Sequence, residues 1–131
     1  MQLYLDTSAL AKLVTEEAET AALQSYLQTH AADTHFTSAL TRTELIRAAS
    51  RHGPPSAIAH ARRLLTRIDV IALTIRLLEV AAVLPPAQLR TLDAIHLAAA
   101  QTAPDLRALV TYDVRMAQAA ALAGIAVAQP V

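Results

Sequence analysis

Four carboxylates in this chain stand where they could act together. Asp6 and Asp113 each follow a short apolar run, Leu3-Tyr4-Leu5 and Ala108-Leu109-Val110. Runs that are bulky on both alternate faces read as strands covered by helices on both sides. In an open parallel sheet ligands bind beyond the carboxyl ends of the strands, so both aspartates are expected at the same edge. Asp93 opens a helical stretch and Glu44 lies midway along another, on the face it shares with Arg47 and Arg51 and away from Ala39, Ile46 and Ala49. Carboxylates gathered in one crevice raise one another's pKa unless a cation compensates. All-oxygen ligands select Mg²⁺ or Mn²⁺ over zinc. Such an ion can orient and acidify a water and neutralise charge on a phosphodiester oxygen during in-line displacement.

Each acid also has a plainer use. Asp6 could simply cap the helix that runs through Ala9, Leu10 and Leu13, although Thr7 or Ser8 can serve as that cap. Asp93 suits the helix macrodipole, with Thr91 an alternative cap. Glu44 could form a solvated pair with Arg47, worth about 0.2 to 0.5 kcal/mol. Capping explains least well why an aspartate recurs at two strand ends. His96, three residues after Asp93, reads as structural, because carboxylate-bridged iron sites of that spacing need two such motifs.

The elements that must position these groups alternate between strand and helix. Strands are predicted at 3–5, 35–37, 70–73, 108–110 and 125–127. Helices are predicted from about Ala9, over 16–32 with acids in its first turn, over 39–52 with Ser38 as cap, over 56–67, from the Thr74 cap to about Leu84, over 91–102, and from Asp113 to Gly124. Gly53-Pro54-Pro55, Pro85-Pro86 and Pro104 punctuate them. The helix at 56–67 places Ser56, His60, Arg63 and Arg67 on its polar side, a basic face.

A length of 131 residues suits one domain over 1–131. Hydrophobic content of 54% with only 3% aromatic residues means Ala, Leu, Ile and Val, the composition of helices packed on a sheet, an α/β fold. With no cysteine there is no disulfide, thiolate nucleophile or Cys-ligated zinc. Asp6 interrupts any signal peptide, and the longest uncharged run, Met116 to Val131, falls short of the roughly 18 apolar residues of a membrane span. A soluble, cytoplasmic protein is expected. Glycine occurs only at positions 53 and 124, which excludes Gly-rich phosphate loops. Phe36 and three tyrosines are too few for binding dominated by base stacking. Formal net charge is zero, but with the four acids set aside in one site the remainder carries +4, which suits a polyanion held by the rim.

Leu5-Asp6-Thr7-Ser8-Ala9-Leu10, Thr43-Glu44-Leu45, Leu92-Asp93-Ala94-Ile95-His96-Leu97-Ala98 and Thr111-Tyr112-Asp113, followed by an Ala-rich helix and Gly124, span nearly the whole chain. In these pieces and their order the chain resembles PIN-domain ribonucleases, in particular the VapC-like toxins of prokaryotic type II toxin-antitoxin pairs. The resemblance implies a central parallel sheet of about five strands, the first strand in the middle. It also implies Mg²⁺-dependent endonucleolytic cleavage of RNA (Mn²⁺ able to substitute), a cognate antitoxin protein, a homodimer and a prokaryotic cytoplasm. Asp6, Glu44, Asp93 and Asp113 carry over as catalytic acids, with Asp6, Asp93 and Asp113 as metal ligands and Thr7, Ser8 and Thr111 as pocket support. Met116 departs from the larger apolar or aromatic residue common at that position. RNA backbone contacts are expected from Arg47, Arg51, Arg63 and Arg67. Two other classes remain: a catalytically inactive PIN-fold binding module, against which all four acids speak, and a receiver-like Mg²⁺-binding signalling domain. The latter would need an aspartate after its third strand, where Leu73-Thr74 stands.

Overall fold

A computed structural model describes residues 1–131. In chain order the elements are β1 (Gln2–Leu5), α1 (Thr7–Val14), α2 (Thr20–Thr29), β2 (Thr34–Ser38), α3 (Ala39–His52), α4 (Ala57–Leu65), β3 (Asp69–Ile71), α5 (Ile75–Ala82), α6 (Thr91–Ala100), β4 (Leu106–Val110), α7 (Val114–Leu122) and β5 (Val127–Ala128). The strands form one parallel sheet in the order β3-β2-β1-β4-β5, with the first strand central as expected.

The pleat of β1 divides the apolar side chains into two layers. Tyr4 points to one face, in register with Phe36 of β2 and Leu109 of β4. There it joins a core completed by Leu97, Met116 and the alanines of α6 and α7. Leu3 and Leu5 point to the other face and pack with Leu10, Leu23, Leu45, Ala61, Leu65 and Val110. Ala94 and Ala98 to Ala100 are all buried, and such small side chains let α6 lie close upon the sheet. Truncating a wholly buried leucine such as Leu10 or Leu45 would cost about 2 to 5 kcal/mol through lost transfer energy and the cavity left behind.

Several local expectations are corrected. The cap of α1 is neither Thr7 nor Ser8 but Asp6, whose Oδ1 accepts from the Ala9 N–H at 3.0 Å. Ser38 stands at the N-cap position of α3 as expected but makes no capping hydrogen bond; its Oγ accepts from the Tyr4 hydroxyl at 3.1 Å. Thr91 does not cap α6 either: it is the first helical residue, after Arg90. The helix expected over 16–32 is shorter, 20–29, and its first turn holds no acid; Glu17 and Glu19 instead pair with Lys12 of α1. The third strand is Asp69–Ile71 and not 70–73, since its only partner, β2, offers Phe36 to Ser38 for pairing. The fifth is Val127–Ala128, paired with Leu109 and Val110.

Gly53 ends α3, its N–H bonded to the Ala49 carbonyl at 3.0 Å. A Cβ there would fall 2.4 Å from the Ala57 Cβ, so glycine lets α3 and α4 meet. Gly124, at φ 75°, ends α7 in the left-handed region that favours glycine. No helix is long and apolar enough to cross a membrane.

Candidate active site

Asp6 and Thr111 stand side by side at the carboxyl ends of the adjacent strands β1 and β4. The Asp6 N–H donates to the Val110 carbonyl, which extends the ladder one residue past the strand. Asp6 is 2% exposed and both its oxygens are hydrogen-bonded: Oδ1 accepts from Ser8 Oγ at 2.7 Å and the Ala9 N–H, and Oδ2 from Thr111 Oγ1 at 2.5 Å. Both hydroxyls accept in turn from the next connection, Ser8 Oγ from the Tyr112 N–H at 2.8 Å and Thr111 Oγ1 from the Asp113 N–H at 3.1 Å. Ser8 and Thr111 therefore tie the β1–α1 and β4–α7 corners together through one carboxylate. Burial raises the Asp6 carboxyl above the usual carboxylate range, against the opposing pull of these hydrogen bonds and of His96.

Asp113 caps α7, its Oδ1 accepting from the Arg115 N–H at 2.9 Å and the Met116 N–H at 3.2 Å. Both strand-end aspartates are thus helix caps. Capping and site placement coincide here, because a helix that begins at the strand's carboxyl end brings its N-terminus to the crevice.

Glu44 is not paired with Arg47. Its Oε1 accepts from Thr7 Oγ1 at 2.6 Å and faces His96 Nε2 at 2.8 Å, while His96 Nδ1 lies 2.8 Å from the Tyr4 hydroxyl. Burial opposes ionisation of Glu44, but the hydrogen bonds from His96 and Thr7 outweigh it and hold the carboxyl below its ordinary value. Burial pushes the Tyr4 phenol up to about 12, so it keeps its proton. Tyr4 and His96 are the residues that sequence reasoning missed or set aside. The available signal was the spacing of His96 from Asp93, one helical turn, which puts both on the same face of α6.

Asp6, Thr7, Ser8, Glu44, Asp93, His96 and Asp113 line one cavity of about 280 Å³ between the two helical layers, with Ala11 and Met116 as its apolar wall. All four acids expected in a site are brought together. Asp93 makes neither a hydrogen bond nor an ion pair, and burial, then the charges of Asp113 and Asp6, raise its carboxyl pKa against His96 and Arg90. As the side chains stand, no three His, Asp or Glu side chains are gathered closely enough to grip a metal ion. Arg47 and Arg51 join Thr7 and Glu44 in an adjoining cavity of about 400 Å³. Arg63 and Arg67 lie elsewhere: both are exposed, at and beyond the end of α4, and line neither cavity.

Comparison with known proteins identifies the family. The PIN domain family model matches residues 3–122. Ribonuclease VapC46 of Mycobacterium tuberculosis (strain ATCC 25618 / H37Rv) is 46% identical over 129 residues, covering 98% of this chain and 97% of that protein. Ribonuclease VapC47 of Mycobacterium tuberculosis (strain CDC 1551 / Oshkosh) is 43% identical over 131 residues, covering 98% and 96%. Among solved structures the fold is shared with Mycobacterium tuberculosis VapC20, described as a sarcin-ricin loop cleaving toxin, at TM-score 0.73 and 22% identity over 98% of this chain and 99% of that one. It is shared too with a toxin-antitoxin complex from Klebsiella pneumoniae, at TM-score 0.71 and 23% identity over 98% of each chain. A chain whose first strand is central, whose four acids line one cavity and whose relatives align over nearly its whole length belongs to the PIN-domain family, among the VapC ribonucleases.

Proposed function

We propose that this chain is an endoribonuclease that hydrolyses RNA phosphodiester bonds with the help of Mg²⁺ or Mn²⁺, and that it is the toxin of a toxin-antitoxin pair. The observation that carries the reading is the convergence of Asp6, Glu44, Asp93 and Asp113, drawn from four separate elements, on one cavity at the carboxyl edge of a parallel sheet. Four acids around one cavity repel one another, and the only basic side chain lining it is His96, so the site calls for a further cation.

The donor set suits a hard divalent cation. Both Asp93 oxygens and Asp113 Oδ2 have no protein partner and belong to side chains lining the cavity, and every carboxylate donor there is oxygen. Asp93, Asp113 and Asp6 would hold the ion. When bound, it acidifies water and offsets the charge that builds on the phosphodiester. The protein's own work is positioning: Ser8 and Thr111 hold Asp6 in one orientation, and Thr7 with His96 keeps Glu44 ionised and aimed. An ionised Glu44 is a proton acceptor and would take a proton from the attacking water.

The toxin role follows from the relatives, and with it an antitoxin partner. An antitoxin that places an Arg or Lys beside Asp6 and Asp113 would block an acidic cavity in a chain of zero net charge. A homodimer in a prokaryotic cytoplasm completes the proposal. The deciding experiment incubates the purified chain with total RNA from a candidate host, with Mg²⁺ and with excess chelator, and maps new RNA ends. Discrete ends that form only with the metal support the reading; undiminished cleavage in chelator overturns the metal's part, and no cleavage under either condition overturns the nuclease.

A further inference from the structure

A second basic cavity adjoins the acids from the other side. It measures about 320 Å³ and lies between the segment preceding α6 and the outer face of α7, where Arg90, Arg115, Gln88 and Gln118 line it together with Asp93. Asp93 also lines the carboxylate cavity, so the two share a wall, just as Thr7 and Glu44 are shared between that cavity and the one holding Arg47 and Arg51. The acids are therefore bordered by a pair of arginines on either hand. The two pairs belong to opposite layers: Leu45 and Ala49 beside Glu44 pack on one face of the sheet, and Leu89 and Ala119 of the second cavity on the other.

None of these four arginines is used by the fold. The lysine and arginine side chains in ion pairs with carboxylates are Lys12, with Glu17 and Glu19, and Arg107, with Asp33. Arg90 and Arg115 are exposed and unpaired although Asp93 lines the same cavity. The cap of α7 fixes the position of Arg115. Asp113 accepts from the Arg115 N–H, which sets the start of the helix, and Arg115, Gln118 and Leu122 then follow at three- and four-residue spacing along the wall. An arginine fork matches phosphate oxygens, and a carboxamide presents both donor and acceptor to a base or ribose.

We infer that this cavity is the subsite for the nucleotide on one flank of the cut, Arg90 and Arg115 holding its phosphate and Gln88 and Gln118 its base or ribose, while Arg47 and Arg51 hold the phosphate on the opposite flank. The RNA strand then crosses the carboxyl edge of the sheet from one helical layer to the other, with the scissile bond over the acids. This inference rests on the endoribonuclease reading and adds the path of its substrate and the groups that hold it. It also moves the basic track from Arg63 and Arg67 on the α4 side to Arg90 and Arg115.

The test uses the full chain and, once the cut bond is mapped, RNA oligonucleotides bearing one uncharged methylphosphonate linkage immediately 5′ or 3′ of it. Wild type should fall about tenfold in kcat/KM for either linkage, the scale of one charge-assisted hydrogen bond. The double variant Arg90→Gln/Arg115→Gln should fall about tenfold on unmodified RNA, fall no further with one of the two linkages and still fall by the full factor with the other. Arg47→Gln/Arg51→Gln should show the mirror image. Each pair should also lower the slope of log affinity against log salt by about 0.7 for each phosphate that is no longer neutralised. Arg90→Lys/Arg115→Lys, which retains the charges, should keep the sensitivity to its linkage and so separates a missing charge from a damaged fold. Wild-type kinetics and salt slope in the first variant, additive losses at both linkages, or both pairs answering to the same linkage would each overturn the crossing path. Unchanged RNA kinetics with weakened antitoxin binding would put a protein on this cavity instead. A wild-type chain that cuts no RNA gives no bond to map; that result strikes the endoribonuclease reading itself and the path falls with it.

Discussion

His96 Nε2 lies 2.8 Å from Glu44 Oε1, across 52 residues of chain and between the two helical layers. The ionised Glu44 can only accept, so the bond requires a proton on Nε2. The other nitrogen, Nδ1, is 2.8 Å from the buried Tyr4 hydroxyl, which bonds onward to Ser38 Oγ. A hydrogen-bonded chain thus runs from the end of β2 through the central strand to the cavity wall, and an imidazole at its middle decides where the Glu44 carboxylate points.

His96→Gln keeps bulk and polarity but cannot span both partners. Glu44 would lose the His96 bond and charge and keep only Thr7 to hold its pKa down, so its carboxyl should rise and the acid limb of the kcat profile should move to higher pH. KM should change little, because RNA is held elsewhere, and stability should fall by about 1 to 3 kcal/mol as buried groups lose partners. A pH profile superimposable on wild type would show that Glu44 does not depend on His96.

Asp93→Asn distinguishes a site carboxylate from a helix-dipole acid. The raised Asp93 pKa means that the ionised form is disfavoured in the folded chain, chiefly by burial and then by Asp113 and Asp6. Removing the charge should therefore raise the melting temperature without metal, reduce the further rise on adding Mg²⁺, and lower cleavage by about two or more orders of magnitude. If Asp93 served only the dipole, the substitution would cost roughly 0.3 to 1 kcal/mol and leave cleavage intact. Melting curves with chelator and with Mg²⁺, beside one cleavage time course, read both outcomes.

Metal exchange should follow ligand hardness. Chelation should abolish cleavage, Mn²⁺ should restore it as Mg²⁺ does, and Zn²⁺ should not, because the cavity offers carboxylate oxygens and no thiolate. Equal rates with Zn²⁺ would overturn this selection by hard oxygen ligands and point to His96 as a ligand.

Far from the cavity, Asp33 accepts hydrogen bonds from Arg107 Nε and, at 3.3 Å, from a terminal guanidinium nitrogen, which hold its carboxyl down at about 2. A depressed carboxyl stabilises the fold fully above its unfolded value near 3.8 and loses that contribution as pH falls through about 2. Asp33→Asn should therefore lower stability at pH 7 and flatten the acid-unfolding curve between about 4 and 2, measured by circular dichroism against pH. Parallel curves for variant and wild type would show that the pair contributes nothing.

The strand at Leu3-Tyr4-Leu5, the Gly53-Pro54-Pro55 break and the Thr74 cap were all legible along the chain, because each is a local matter of alternating bulk, backbone freedom or a hydroxyl before a helix. The bounds of β3 and β5 were not, since an edge strand is as long as its neighbour allows and that neighbour is remote in sequence. Ser38 had the right type and place for a cap, but its Oγ bonds to Tyr4 instead.

The same division runs through the candidate site. Residue order alone put four acids at strand ends or on helix faces, and strand periodicity with a helical start after each run was enough to send Asp6 and Asp113 to one edge. It took packing in three dimensions to turn Glu44 from Arg47 to His96, to set Tyr4 behind them, and to bring Arg90 and Arg115 beside the acids while Arg63 and Arg67 stay away. The cause is that α3 and α6 cover opposite faces of the sheet and meet only beyond its carboxyl edge. No spacing along the chain encodes a contact made across two packed layers; the burial of Tyr4, Leu3 and Leu5 on alternate faces of one strand creates it.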